Sequence, residues 1–165
     1  TILMGDSVLV WRTTDFELGD VALCLHPSEP NRYVLGRVVG RPGQTIRIER
    51  GILYINNQAP DSDIHTAIQF TNNEIGRVQT MVWGVEDLLD HDHTFFYEER
   101  RMPTYRSLEV RGGPFLLSDN RTYIGEDSRT FGEVSELLCI GKVFMRLLAA
   151  DGPAEIPHAP LDIIE

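Results

Sequence analysis

The stretch that decides the fold is PFLLSDNRTYIGEDSRTFG, residues 114–132. It opens with a short apolar run of strand character and continues with two acid–arginine units. Asp119 and Arg121 form the first unit, and Asp127 and Arg129 form the second. Asp and Arg are rarely buried unless they are paired, and an Arg fork matches a carboxylate with two hydrogen bonds, so crossed ion pairs that lock one loop are one interpretation. The commoner alternative is a solvated turn with loose surface pairs.

Length and charge limit the possible function. A chain of 165 residues is long enough for one domain with a substantial core and a small inserted lobe. The formal charge of −10 argues against a nucleic-acid partner, whose phosphates need a basic face, and disfavours electrostatic docking on anionic lipid. The basic residues are almost all arginine, and Lys142 is the only lysine.

Neither the chain ends nor the cysteines fix a compartment. The sequence has no signal peptide, no lipidation motif and no apolar run near the about 20 residues of a membrane span. It opens on strand-like residues, so we expect a segment cut from a longer protein. Cys24 and Cys139 lie far apart, in no metal-binding or redox spacing. Buried free thiols are the simplest expectation, and their pairing stays open.

Apolar and β-branched runs punctuated by Gly, Pro and Asn predict an antiparallel β architecture with little helix. We expect strands over residues 3–11, 21–25, 33–39, 46–48, 52–55, 77–83, 94–97 and 140–145, with one helical turn at residues 85–89. Residues 1–57 and 114–146 then form a core, residues 58–113 an inserted β lobe, and residues 147–165 an extended or mobile tail.

The order of these segments resembles the bacterial signal peptidase I family, the membrane-bound serine–lysine peptidases that remove signal peptides. The resemblance runs from Thr1 to about Met145, and the inserted lobe matches only in kind. Its strongest parts are the run Arg37-Val38-Val39-Gly40 with Pro42-Gly43, and the two acid–arginine units with Gly132. They are bracketed by Gly5-Asp6, Gly19-Asp20 and Gly141-Lys142.

The resemblance implies a mostly antiparallel, barrel-like β core with an inserted β lobe. In the family a serine hydroxyl attacks the scissile carbonyl and a neutral lysine takes its proton, which requires a lysine with a lowered pKa. The serine belongs to a Ser-Met-x-Pro-Thr segment. Thr1 resembles that threonine, so the serine position falls before the first residue.

Three positions depart from the family pattern. Gly36 stands where the family has its lysine, Ser118 replaces a glycine, and Gly125 lies near the place of the serine that orients the lysine, in a loop one residue longer. A glycine inside a strand is unfavourable by about 1 kcal/mol, so we expect the strand to tolerate Gly36→Lys. The acid–arginine frame persists, and the resemblance implies ion pairs that brace the site among Arg37, Asp119, Arg121, Asp127 and Arg129.

Acid–arginine pairs that persist without the serine–lysine pair predict a non-catalytic member of the family. We expect it to bind signal-peptide-like extended segments or a partner peptidase, without cofactor, metal or nucleic acid. The resemblance places it on the extracytoplasmic face of the bacterial plasma membrane, through an N-terminal anchor outside this chain. One alternative is an active signal peptidase with an upstream serine and an unusual base. Another is a regulatory domain related to the self-cleaving repressors, which share this chemistry.

Three weaker candidates remain. The run Asp-His-Asp-His at residues 90–93 offers two imidazoles that could begin a zinc site, although acidic loops with histidine are usually solvated. Ser118 could be a displaced nucleophile, but it has no nearby base, and a small residue in a tight turn is the simpler interpretation. Trp11 and Trp83 fit either a core or a membrane-surface anchor.

Overall fold

Strands dominate the structure, a computed structural model that describes residues 2–72, 77–89, 91–150 and 159–164, with the backbone alone for residues 70–72 and 77. The only α-helix in these residues is α1 (Ser128–Phe131), and 3-10 turns lie at Glu99–Arg101 and Glu136–Leu138. The strands are β1 (Ser7–Trp11), β2 (Val21–His26), β3 (Glu29–Gly40), β4 (Thr45–Glu49), β5 (Ile52–Ile55), β6 (Ser62–Ile64), β7 (Ile68–Asn72), β8 (Arg77–Asp87), β9 (Asp92–Glu98), β10 (Tyr105–Glu109), β11 (Phe115–Leu117), β12 (Cys139–Leu148) and β13 (Asp162–Ile163).

These strands form three antiparallel sheets. The largest has the order β1-β12-β2-β3-β11, and β13 adds to β12. A second sheet has the order β10-β4-β5, and a third joins β6 and β7 to β8, which also pairs with β9. The mostly β prediction is confirmed, but the described sheets stay open and do not close into the expected barrel-like core.

The turn and alternation predicted between β3 and β5 are both present. Gly43 has a φ of 89°, the positive value that a glycine turn permits. Ile46 and Ile48 of β4 are fully buried while their neighbours are more exposed, which is the pattern of a half-buried strand. β10 pairs with β4, so the end of the predicted inserted lobe completes a sheet with two core strands.

Two apolar clusters cover opposite faces of β3 and β11. Val38 and Leu116 belong to one cluster, and Val39 and Leu117 belong to the other. Successive side chains of a strand point to opposite faces, so this alternation follows directly from two strands buried on both sides. Apolar clusters therefore cover both faces of the sheet at β3 and β11, the end that carries Gly36 and leads into the acid–arginine loop.

The expectation of free thiols is wrong, because Cys24 and Cys139 form a disulfide. The two residues lie directly opposite each other where β2 pairs with β12. This register brings together cysteines that are 115 residues apart in sequence. The sequence shows both strands but not their register, so it could not predict the bond.

Two further expectations need correction. The helical turn predicted at residues 85–89 is wrong, since β8 continues to Asp87 and pairs there with β9. The tail is not wholly unpaired, because β13 adds to the edge of β12, while residues 151–158 and 165 lie outside the described residues. The predicted strands at residues 77–83 and 94–97 are confirmed within β8 and β9.

Candidate functional site

Asp127 is the centre of the loop that follows β11. Its side chain is 1% exposed, and it accepts hydrogen bonds from the Arg129 Nη2 at 2.6 Å and Nε at 2.9 Å. It also accepts from the Arg129 backbone N–H at 3.0 Å, which caps α1, and from the Ser118 N–H at 3.0 Å. One carboxylate therefore ties together the end of β11, the loop and the helix.

Arg129 extends this arrangement to the middle of the loop. Its Nη2 donates to the carbonyl oxygen of Tyr123 at 2.6 Å, and its Nη1 donates to that of Arg121. The guanidinium side chain is 1% exposed. Charge-assisted bonds of this kind are stronger than neutral ones, so they fix the course of residues 121–124.

Asp119 pairs across the sheet with Arg37 of β3. The Arg37 Nε lies 3.1 Å from Asp119 Oδ1, and the Arg37 Nη1 donates to the Gly19 carbonyl at 2.6 Å. Burial is the largest influence and would raise the pKa of Asp119, but the charge of Arg37, its hydrogen bond and smaller contributions from other neighbours together hold this pKa well below its ordinary range. Asp119 is therefore ionised at neutral pH and anchors the loop to the strand that carries Gly36.

Arg121 takes a partner that the sequence analysis missed. Its Nη2 donates to Glu86 of β8, and the two side chains are 1% and 2% exposed. The crossed pairs expected within the loop are therefore wrong. Asp127 pairs with Arg129 of its own unit, whereas Asp119 and Arg121 turn to β3 and β8.

Gly36 is buried in β3, opposite Ala22 of β2. A Cβ placed there would stand 3.0 Å from the Cβ of Leu116 and 3.6 Å from the Leu117 nitrogen. Leu116 would therefore have to move by a few tenths of an ångström to admit the first carbon of a lysine side chain. Any side chain at residue 36 forces its neighbour to move, so the expected easy tolerance of Gly36→Lys does not follow.

Lys142, the only lysine of the chain, lies away from Gly36. Its Nζ lies 3.0 and 3.2 Å from the two carboxylate oxygens of Asp20. Lys142 is opposite Ala22, and Ala22 is opposite Gly36, so the lysine and the glycine are two strands apart. Lys142 is therefore an ion-pair partner of Asp20 and lies away from the position of the family's lysine.

Ser118 and Gly125 do not form a dyad either. The Ser118 hydroxyl accepts from the Asn120 N–H at 3.2 Å, which is the role of a small polar residue in a turn. Gly125 is exposed, and the next residue, Glu126, pairs with Arg32 of β3. Among the described residues, the structure therefore brings together the arginine–carboxylate frame, with Ser118 and Gly125 in turns beside it.

β3 offers an unpaired edge next to this frame. β11 pairs with β3 only from Arg37 to Gly40, whereas β2 pairs with β3 along its other edge from Glu29 onward. From Glu29 to Gly36, the edge that faces away from β2 has no strand beside it in the described ranges. Tyr33 and Leu35, which are 60% and 36% exposed, lie on this segment.

The other candidates are placed elsewhere. Asp90 of the Asp-His-Asp-His run lies outside the described residues, and His93 lies 2.9 Å from Glu86. Within the described ranges, no three His, Cys, Asp or Glu side chains converge as metal ligands would.

Trp83 packs against the cluster of Ile68 and Met81, whereas Trp11 is 63% exposed. The described residues contain no helix of the length and apolarity that crossing a bilayer requires.

Comparison with known proteins identifies the family of the chain. The family model for signal peptidase, peptidase S26, matches residues 1–148. Signal peptidase I of Pseudomonas aeruginosa is 30% identical over 72% of this chain, and that of Buchnera aphidicola is 23% identical over 92%. Signal peptidase IB of Staphylococcus aureus is 27% identical over 85%. A crystal structure of a signal peptidase I from Enterococcus faecalis, at 25% identity, covers 78% of this chain and 96% of its own with a TM-score of 0.46.

An open antiparallel β domain with an arginine–carboxylate frame is thus matched by a peptidase model over most of its length. The chain belongs to the signal peptidase family, peptidase S26. It spans 41% of the Pseudomonas protein and 65% of the Buchnera and Staphylococcus proteins.

Sequence reasoning missed Glu86 and His93 as members of the frame. One signal was available for His93, because a strand over residues 92–98 places every second side chain on the same face. That period puts His93 on the same buried face as Phe95 and Tyr97, as the structure shows. No comparable signal marks Glu86, whose neighbours in sequence are also acidic or apolar.

Proposed function

We propose that this domain is a non-catalytic signal peptidase that binds extended, signal-peptide-like segments. The observation that carries the proposal is Gly36, packed against Leu116 at the place of the family's lysine. The single lysine of the chain is held by Asp20, two strands away. A serine without a base is a poor nucleophile, so an upstream serine alone would not support cleavage.

The unpaired edge of β3 supplies the binding surface. An extended peptide can add to such an edge through backbone hydrogen bonds, while the side chains beside it set specificity. The Asp119–Arg37 pair and the Asp127–Arg129 pair hold both ends of the neighbouring loop in place. The frame therefore keeps the edge open and ordered. This role would explain why the frame is present without the serine–lysine pair.

The disulfide supports the proposed location. Bonds between cysteines persist in oxidising compartments and are rare in the reducing cytosol. The Cys24–Cys139 bond is therefore consistent with the extracytoplasmic face of a bacterial membrane. Anchoring through a segment before residue 1 is part of the same proposal.

Peptide binding tests the proposed edge. A labelled signal-peptide-like peptide is expected to bind the protein, and the same peptide N-methylated at alternate residues should bind at least tenfold more weakly, because it loses backbone donors. Leu35→Lys, at the edge, should weaken binding. Leu148→Lys, on an exposed residue at the far end of β12, serves as the matched control. Equal affinity for the two peptides would refute strand addition.

Gly36→Lys is expected to lower the free energy of unfolding by about 1–3 kcal/mol, the usual cost of overpacking. The new Cβ would press on Leu116, which belongs to the buried cluster. Urea unfolding measures the loss, with Leu35→Lys as the control in an exposed position of the same strand. A stability equal to that of the unmodified protein would show that the site still has room for a lysine.

A further inference from the structure

The inserted lobe is joined by backbone hydrogen bonds to residues 119–122, which we call the frame loop. The Phe96 N–H of β9 donates to the Asp119 carbonyl at 2.8 Å, and the Arg121 N–H donates to the Phe96 carbonyl at 2.7 Å. Phe96 and Asn120 form a parallel β-bridge as a result. The loop thus acts as a short additional strand on the edge of the lobe.

A buried charged cluster lies beside this junction. Glu86 and His93 face each other across β8 and β9, and Glu86 Oε1 lies 2.9 Å from His93 Nε2 while also accepting from Arg121 Nη2. Their side chains are 2%, 1% and 1% exposed. A carboxylate only accepts, so the His93 Nε2 carries the proton. The buried Nδ1 has no hydrogen-bond partner in the part of the chain that the structure describes.

The charges around His93 balance only while the ring is neutral. Glu86 faces it from β8, Arg37 from β3, and Asp119 acts on it from the loop that also carries Arg121. The charges of these two carboxylates and two guanidiniums sum to zero. Burial and the nearby Arg37 guanidinium lower the pKa of His93, against the opposing pull of Glu86 and Asp119.

We propose that His93 makes the docking of the inserted lobe on the 119–122 loop dependent on pH, so that protonation of its ring releases the loop from β9. A second proton would leave the buried cluster with one uncompensated positive charge next to two guanidiniums. Such a charge is costly away from water, whereas the released form exposes the ring to solvent. The histidine belongs to the lobe, and most of its charged neighbours belong to the frame and the core.

The direction of the effect follows from proton linkage. In the released form His93 binds a proton at its ordinary pKa of about 6.5, while the docked form resists protonation to lower pH. The docked form therefore loses stability as the pH falls below about 6.5, by up to tenfold in the opening equilibrium per pH unit. Its consequence for ligands, weaker peptide binding at the β3 edge in acid, rests on the proposed function.

Amide hydrogen exchange tests the proposal without any peptide. Protection of residues 117–122 and of β9, corrected for the intrinsic exchange rate, is compared at pH values of about 7.5 and about 5.5. We expect protection in the unmodified protein to fall about tenfold in acid. His93→Gln keeps an N–H for Glu86 but cannot gain a charge, and it should show no fall. His65→Gln, on the outer part of the lobe against Trp83, should behave as the unmodified protein.

The same outcome has an independent check if His93→Gln does not fold. Nuclear magnetic resonance of the unmodified protein follows the His93 ring and the amides of Phe96 and Asn120 during one titration. If the ring and the two amides change with the same midpoint pH, protonation of His93 and release of the loop are coupled. Unchanged protection in acid, a fall that persists in His93→Gln, or a ring that titrates without the amides would overturn the proposal. None of these readings depends on peptide binding, so they do not bear on the proposed function.

Discussion

Asp127→Ala is expected to destabilise the domain by about 3–5 kcal/mol, the usual effect of removing one partner from a buried ion pair. The carboxylate holds Arg129, caps α1 and accepts from the Ser118 N–H. Without it, the Arg129 charge stays buried with only carbonyl partners. Since a domain has about 5–15 kcal/mol of net stability, the loss should be visible in any unfolding curve.

Chemical denaturation measures this effect, with two variants for comparison. Asp127→Asn keeps one acceptor for the helix cap but removes the charge, so it should fall between Ala and the unmodified protein. Asp15→Ala changes an exposed aspartate and should alter the free energy of unfolding by less than about 0.5 kcal/mol. A loss below about 1 kcal/mol for Asp127→Ala would mean that the frame does not support the loop.

Removal of the disulfide should have a similar effect. The bond closes a segment of 115 residues, and the chain-entropy model assigns such a long closure up to about 5 kcal/mol. For the double variant Cys24→Ala with Cys139→Ala we expect a loss of about 2–5 kcal/mol and a Tm lower by about 5–20 °C. Both residues are buried, and alanine has no polar side-chain atom that would be left without a partner there.

Thermal unfolding with and without reductant measures the contribution of the bond. The unmodified protein should lose stability when it is reduced, whereas the double variant should not respond to reductant. If mass spectrometry finds two free thiols in the native protein, or if the reductant leaves its Tm unchanged, the bond is not part of the fold in solution.

The local parts of the fold could be predicted from the sequence. The alternation around Ile46 and Ile48, and the turn at Gly43, depend on neighbours along the chain, and each appears as expected. The Asp119 and Asp127 carboxylates were correctly expected to pair with arginines. Their choice of arginine depends on which strands lie beside the loop, and sequence spacing does not contain that information.

The missed features all depend on long-range register. Cys24 meets Cys139 only because β2 and β12 pair in one particular alignment. Arg121 meets Glu86 only because the irregular inserted lobe folds back on the frame loop. A shift of one residue would turn each of these side chains to the other face of its sheet. Prediction from one sequence therefore found the acid–arginine pairing of the loop, but not the contacts that the inserted lobe makes with it.

The most direct test of the central claim is a cleavage assay with the full-length protein, including whatever precedes residue 1. It is incubated with a preprotein, and signal peptidase I of Pseudomonas aeruginosa serves as the active control. The packing at Gly36 and the Asp20 partner of Lys142 predict that the preprotein is bound and recovered uncleaved. Cleavage that disappears when an upstream serine is changed to alanine would contradict this account.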